Sequence, residues 1–386
     1  MRHVSFVDNN DVTLLESGTA YFPALIAALD AAQYEVFFET YIFAEDDTAG
    51  TVRDALIRAS QRGVKVRVLV DWIGTEHRPC ARLGEAFAAT GVQYRVFNPW
   101  CKRGIARSHR KIAVIDREVA FVGGININDD WQCDHADKHR LPAPRWDFTV
   151  RVTGPLVAQI HDEAQGQWLR AGRLRIRQRI ELFKEMRKDP PQSCAHPARA
   201  AFVVRDNLRN RSTIQRAYLQ ALGRAKDSVL LATPYFAPGR KFRKALAHAA
   251  RRGVQVTLLI GVGEFKIQDM VARSFYPKLL ADGVRLVEYR KTQLHAKVAV
   301  VDDDWATVGS SNCDGLSLFL NQEANVVVLD QRFAATMRAH IERGIADGVP
   351  VRAEDFAHIG WFRRASYGLA YMAYKLVMRI FAIGYA

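Results

Sequence analysis

One frame of polar residues occurs twice, about half a chain apart. The first copy runs from His109-Arg110-Lys111 to Asp116, the second from His295-Ala296-Lys297 to Asp302. In both, Lys follows His by two residues and Asp follows Lys by five. Gly123 and Asn126 lie beyond the first copy at the offsets that Gly309 and Asn312 keep beyond the second. A lone His-x-Lys on a strand is common and means little. Two copies in one register point to two similar halves, whose paired histidines and lysines form one site for an anionic phosphorus centre.

The flanks of the two frames repeat as well. In the first half, helical spacing over 19–29 is followed by the apolar run 35–43, a helix over 52–62 closed by Gly63, and an alternating strand over 64–70. The second half replays this order with a helix over 213–223, a strand over 229–236, a helix over 241–252 closed by Gly253, and a strand over 254–260. Gly91-Val92-Gln93-Tyr94-Arg95-Val96 corresponds to Gly283-Val284-Arg285-Leu286-Val287-Glu288. From Gly63 to His109 is 46 residues and from Gly253 to His295 is 42. An acidic residue then opens a further strand in each half, Asp147 at Trp146-Asp147-Phe148 and Glu323 at Glu323-Ala324-Asn325. Strands alternating with helices predict an α/β fold, here two α/β halves about a pseudo-twofold axis with the site at their interface.

The domain organisation read from this pattern has four parts. A first half covers 1–170 and a basic connector 171–200. A second half covers 201–345, and a basic, aromatic tail covers 346–386. Residues 170–199 hold nine Lys/Arg against three Asp/Glu, which reads as a solvated helix face or as a contact with anionic headgroups. The loop around Asp134-His135-Ala136-Asp137-Lys138-His139 resembles a metal cluster but interleaves its acids with Lys, so it reads as a solvated insertion. With 49% hydrophobic and 25% charged residues the chain is globular, and its net charge of +14 calls for an acidic partner: anionic lipid, nucleic acid or a phosphorylated substrate. The five cysteines form no CxxC pair, so reduced thiols are expected. The amino terminus has no signal-peptide pattern, and no apolar run of ~20 residues predicts a membrane span.

The residue types suit phosphoryl chemistry. On a strand with period-two alternation, His and Lys of each frame share a face while Arg110 and Ala296 point away. Lys111 and Lys297 offer point charges to non-bridging phosphate oxygens, and Asn126, Asn312 and Ser310 add neutral donors. Two imidazoles fit a two-step displacement, one attacking phosphorus and the other protonating the leaving alkoxide. Each reacting nitrogen needs its ring partner held by an acceptor, for which Asp147 and Glu323 are the candidates. Asp116 and Asp302 complete the motifs and read as orienting the lysine or the strand turn. No metal or other cofactor is required, since Lys and protonated His carry the positive charge.

These residues resemble the phospholipase D superfamily, whose HxKxxxxD motif occurs twice. The resemblance extends from about Leu14 to Asp330. Through Glu39-Thr40-Tyr41-Ile42-Phe43, Tyr235-Phe236-Ala237-Pro238-Gly239, Thr307-Val308-Gly309-Ser310-Ser311-Asn312 and Asn321-Gln322-Glu323 it looks like a bacterial cardiolipin synthase, and the form Gly123-Gly124-Ile125-Asn126 looks most like the B-type branch. One departure is Gly124, where the superfamily usually has the Ser that Ser310 supplies in the second half. The resemblance implies phosphatidyl transfer between two phosphatidylglycerol molecules, with His109 as nucleophile and His295 as acid and base.

The tail carries Trp361, Phe362, Tyr367, Leu369, Tyr371, Met372 and Leu376 among the basic Arg364, Lys375 and Arg379. It predicts an amphipathic helix in a membrane interface, with packing onto the body as the plain alternative. The resulting expectation is a peripheral enzyme on the cytoplasmic side of the inner membrane, with an anionic membrane surface as partner and no nucleic acid. A phospholipase D-type hydrolase, a nucleic-acid phosphodiesterase and a non-catalytic lipid-binding protein remain as rivals.

Overall fold

The computed structural model describes residues 4–101, 106–133, 139–172, 197–207, 210–357 and 359–381. Most of the basic connector and the core of the 134–139 loop lie outside these residues. The chain divides into two compact units that are not consecutive halves. One consists of Ser5–Asp129 with Thr149–Phe202; the other is built chiefly of Val203–Ala386 but also takes in Asp130–Phe148. The cut therefore differs from one at residue 170, because a segment just beyond the first motif packs with the second half.

The amino-terminal unit contains β1 (Val7–Glu16), α1 (Ser17–Ala31), β2 (Glu35–Thr40), α2 (Asp47–Gln61), β3 (Lys65–Asp71), α3 (Trp72–Thr75) and α4 (His77–Ala88). β4 (Gln93–Phe97), β5 (Ile112–Ile115), β6 (Val119–Gly123), β7 (Phe148–Thr153), α5 (Leu156–Ala171) and β8 (Ala198–Arg205) follow. Its strands run in the order β8-β1-β7-β6-β5-β2-β3-β4. β2, β3 and β4 are parallel, and β5 returns antiparallel against β2. All six residues of β2 are buried, as expected of a strand covered on both faces. α2 is longer than its apolar spacing predicts because Asp46 caps it, accepting from the Ala49 amide at 2.8 Å. Val52, Ala55, Leu56 and Ala59 form its buried stripe, and Gly63 leaves it with a φ of +92°.

Beneath this sheet Glu35 binds Arg117 at 2.9 Å, His161 at 3.0 Å and Arg67 at 3.1 Å. Burial alone would raise the Glu35 carboxyl, but His161 and Arg117 outweigh it and bring it down from 4.5 to about 2. A carboxyl with a depressed folded value stabilises the unit fully above pH 4.5, and that contribution is lost as the pH falls toward 2. At 1.36 kcal/mol per pH unit the loss is about 3 kcal/mol. Acid unfolding followed by circular dichroism should show this step in the wild type and a flatter profile in Glu35→Gln.

The carboxy-terminal unit repeats the plan with α6 (Thr213–Arg224), β9 (Ser228–Thr233), β10 (Phe236–Ala237), α7 (Arg240–Arg251), β11 (Gln255–Gly261), α8 (Lys266–Ala281) and β12 (Arg285–Tyr289). β13 (Val298–Val301), β14 (Trp305–Gly309), β15 (Cys313–Asp314), α9 (Gly315–Phe319), β16 (Glu323–Leu329), α10 (Gln331–Ala346) and β17 (Val349–Val351) follow. The chain continues into α11 (Ala353–Ala357) and α12 (Trp361–Phe381). The strand order β16-β14-β13-β9-β11-β12 matches β7-β6-β5-β2-β3-β4 of the other unit, and β17 extends the edge at β12. Cys80, Cys101, Cys133 and Cys313 are free thiols.

α12 has two apolar faces rather than one. Tyr367 and Met378 are buried, Tyr371 sets its ring edge-on to Phe275 of α8 at 5.0 Å, and the Tyr374 hydroxyl accepts from the Gly315 amide at 2.7 Å. On the opposite face Phe362, Leu369, Met372 and Leu376 are each at least 60% exposed. Packing onto the body thus uses one side of the helix and leaves an apolar stripe on the other. The side chain of Arg364, one of the three expected basic residues, lies outside those described. Among the described residues no helix is long and apolar enough to cross a membrane.

Candidate active site

Both His-x-Lys triplets occupy the extended segment that enters a strand, not the strand itself: β5 starts at Ile112 and β13 at Val298. The alternation holds nonetheless. Each lysine ammonium turns back to the carbonyl of its own histidine, Lys111 to His109 at 2.7 Å and Lys297 to His295. His109, Lys111, His295 and Lys297 are all buried.

The second motif is completed by the excursion from the first half. Trp146 forms a bridge with Leu294, and its carbonyl accepts from the amides of His295 and Ala296 at 2.9 and 3.0 Å. Its ring stacks on Tyr289 at 5.4 Å and lies against Gly344, where a Cβ would come within 2.8 Å of the indole. Arg145 reaches Gln293 at 3.2 Å, and Thr292 donates to the Ala143 carbonyl at 2.6 Å. This seat delivers Asp147 to His295, with Oδ2 at 2.6 Å from Nδ1 and at 3.6 Å from the Lys297 ammonium. An ionised carboxylate can only accept, so Nδ1 carries the proton and Nε2 is the nitrogen left for chemistry. The acid that follows the first motif in sequence therefore serves the second.

The first motif is buttressed by charge where the second is buttressed by apolar packing. Arg110 is buried and meets Glu39 at 2.9 Å and Glu163 at 2.8 Å. Burial opposes its charge, but the two carboxylates overcome this and raise the guanidinium above its ordinary value. Glu39 also accepts from the Ser108 hydroxyl, and Asp71 from the Ser108 amide at 2.7 Å. Burial pushes Asp71 up to about 6 despite its amide donors. The second half places Ala296 where Arg110 stands and Ala232 where Glu39 stands, both fully buried. Tyr41, absent from the sequence-derived site, sets its ring at 4.7 Å from the His109 ring and 5.1 Å from the Lys111 ammonium. Its counterpart in the repeat is Pro234, so only comparison of Thr40-Tyr41-Ile42-Phe43 with Thr233-Pro234-Tyr235-Phe236 could have singled it out.

Asp116 and Asp302, which close the two motifs, each gather a set of backbone amides. Asp116 accepts from the amides of Gln33, Tyr34 and Glu35 at 2.7–2.8 Å, and Asp302 from those of Lys226, Asp227 and Ser228. Five residues of extended chain put each roughly 16 Å from its lysine Cα. Burial would raise the Asp302 carboxyl, but the three amides outweigh it and hold it below its ordinary value. Asp302→Ala should lower stability by about 1–2 kcal/mol, read from urea unfolding, because those amides lose their shared acceptor. Asp302→Asn, which keeps one acceptor oxygen, should lose less.

The remaining polar residues are distributed unevenly. Asn126 accepts from the Ile42 amide at 3.4 Å, which leaves its NH2 for a ligand. Asn312 is buried, and its Oδ1 has no hydrogen-bond partner among the described residues. Ser310 is committed to Glu323, to which it donates at 2.5 Å while accepting from the Ala324 amide. Just before Ser310, the end of β14 needs Gly309, since a Cβ there would collide with the Asn325 side-chain amide.

The family model described as "Cardiolipin synthase, PLD-like domain" matches residues 25–135 and 218–345, covering both motifs and most of each repeat. The chain belongs to this family. Cardiolipin synthase B of Salmonella typhimurium is 40% identical over 345 residues, 87% of this chain and 80% of its own. Cardiolipin synthase B of Escherichia coli is 39% identical over 350 residues, 89% of this chain and 82% of its own. Among solved structures, phosphatidylserine synthase of Haemophilus influenzae aligns with a TM-score of 0.70 at 14% identity, over 98% of this chain and 95% of that one. That likeness shows the fold alone, an α/β architecture shared over nearly the whole of both chains.

Proposed function

We propose that this chain is a cardiolipin synthase that joins two phosphatidylglycerol molecules and releases glycerol. The observation that carries the reading is the retention of both motifs in a chain 40% identical to a cardiolipin synthase B, with Asp147 seated on His295 at 2.6 Å. Nε2 of His109 attacks the phosphorus of the first lipid. His295 gives its Nε2 proton to the departing glycerol alkoxide, and a phosphatidyl-histidine remains. His295, now neutral, takes the proton of a glycerol hydroxyl on the second lipid. That oxygen attacks phosphorus, the bond to His109 breaks, and cardiolipin leaves. Lys111, Lys297, Asn126 and Asn312 offset the charge that builds on the phosphoryl oxygens. In the repeat, Glu323 is the counterpart of Asp147. The mechanism needs no cofactor.

The same reading places the protein at a membrane surface, peripherally and on the cytoplasmic face of the inner membrane. The outward stripe of α12 and the net charge of +14 both favour an anionic bilayer. Incubation with phosphatidylglycerol vesicles, with lipids read by mass spectrometry, should yield cardiolipin and glycerol in equal amounts. Phosphatidic acid as the main product would make the protein a hydrolase instead. Turnover of DNA with no lipid product would overturn the lipid reading altogether.

A further inference from the structure

The carboxy-terminal unit contains a groove of about 730 Å³ beside the second motif, within the size range of small-molecule sites (~300–1,000 Å³). Phe236, Phe265, Ile267, Val271, Leu316 and Tyr374 give it apolar walls. Its floor is the short parallel pair β10 and β15, in which Phe236 faces Cys313 and Ala237 faces Asp314. Two routes tie it to the reacting residues. Asp314 is two residues beyond Asn312. Glu264, on the groove rim, accepts from Gln293 at 2.9 Å, and Gln293 is two residues before His295. The far wall is Tyr374 of α12, the helix whose outer face is the exposed apolar stripe. The corresponding strand end of the other unit opens on a cavity of about 590 Å³ lined by Glu45, Asp46, Arg53, Asp54 and Arg82, a charged surface. Among the described residues, the groove of the carboxy-terminal unit is the more apolar of the two.

We infer that this groove holds an acyl chain of the phosphatidyl lipid whose phosphorus is handled at the motifs. The inference rests on the lipid reading above and adds where the chain goes. A phosphodiester brought to buried histidines draws the first methylenes of its chains out of the bilayer. Left in water they oppose binding, whereas the apolar walls between Asp314 and Tyr374 of α12 keep them covered. Each methylene kept from water is worth about fourfold in affinity (~0.8 kcal/mol).

Short-chain phosphatidylglycerols that remain monomeric test this without a membrane. Titration calorimetry should show dioctanoyl phosphatidylglycerol binding at least about tenfold more tightly than the dihexanoyl lipid, from two further methylenes on the seated chain. In the double variant Phe265→Asp/Ile267→Asp the difference should fall below threefold. Both positions are exposed, and an aspartate at 265 suits the amino-terminal cap of α8, so the variant should melt like the wild type. An undiminished chain-length preference in a folded double variant, or none in the wild type, overturns the inference. Turnover of the same lipids is read separately. Chain-dependent binding that the variant abolishes, without conversion to any phosphatidyl product, supports the groove and removes the synthase reading instead.

Discussion

His109→Ala and His295→Ala should each remove at least ~10³-fold of the cardiolipin-forming rate, and neither should leave half of it. A nucleophile and a general acid contribute to successive parts of one displacement, so loss of either stops the cycle. Two independent sites, one per unit, would behave differently: each single variant would keep about half the rate, and only the double variant would be inactive. Initial rates on phosphatidylglycerol vesicles separate the two cases. Lys111→Ala and Lys297→Ala serve as a second comparison. In the proposed mechanism their charges act on the same phosphoryl oxygens, so combining them with a histidine variant should add little further loss.

Asp147→Asn should lower kcat by about 10²–10⁴-fold with little change in KM. The carboxylate accepts from Nδ1 of His295 at 2.6 Å and so leaves Nε2 as the reacting nitrogen. An asparagine of the same shape can present its NH2 group, which favours the tautomer with the proton on Nε2. The ring stays in place but holds the wrong nitrogen for accepting a proton from the incoming hydroxyl. A merely structural Asp147 would give a different signature, a lower melting temperature with kcat changed in proportion to the folded fraction. Asp147→Glu, which keeps the acceptor, should recover more rate than the asparagine does.

Much of this architecture is readable in the chain because a duplicated frame exposes itself by comparison. The six-strand order shared by the two units follows from elements whose apolar runs and closing glycines, Gly63 and Gly253, recur in register. Boundaries moved where a side chain acts on the backbone: Asp46 begins α2 five residues ahead of its apolar stripe. The motifs lie just ahead of their strands, where each lysine turns back to the carbonyl of its own histidine and the Trp146 carbonyl takes the amides of His295 and Ala296. The amides that Asp116 and Asp302 hold lie 74–83 residues away in sequence, which no local pattern reveals. The same limit applies to Asp147, which lies 148 residues from the histidine it holds. Spacing would assign it to His109, and only packing of Trp146 on Tyr289 and Gly344 shows that it belongs to His295. The tail helix follows the same logic. Its composition announces an interfacial helix, but Tyr367, Tyr371, Tyr374 and Met378 give it a second apolar side that only the body of the protein explains.

The central claim is a phosphatidyl group carried on histidine between two lipids. The most direct measurement stops a reaction with phosphatidylglycerol in denaturant at mildly basic pH, in which both phosphohistidine and the acyl esters survive, and maps the digested protein by mass spectrometry. A phosphatidyl mass is expected on the peptide carrying His109 while cardiolipin is accumulating, and none on that peptide in His109→Ala. Steady cardiolipin formation with no lipid on either the His109 or the His295 peptide would contradict it.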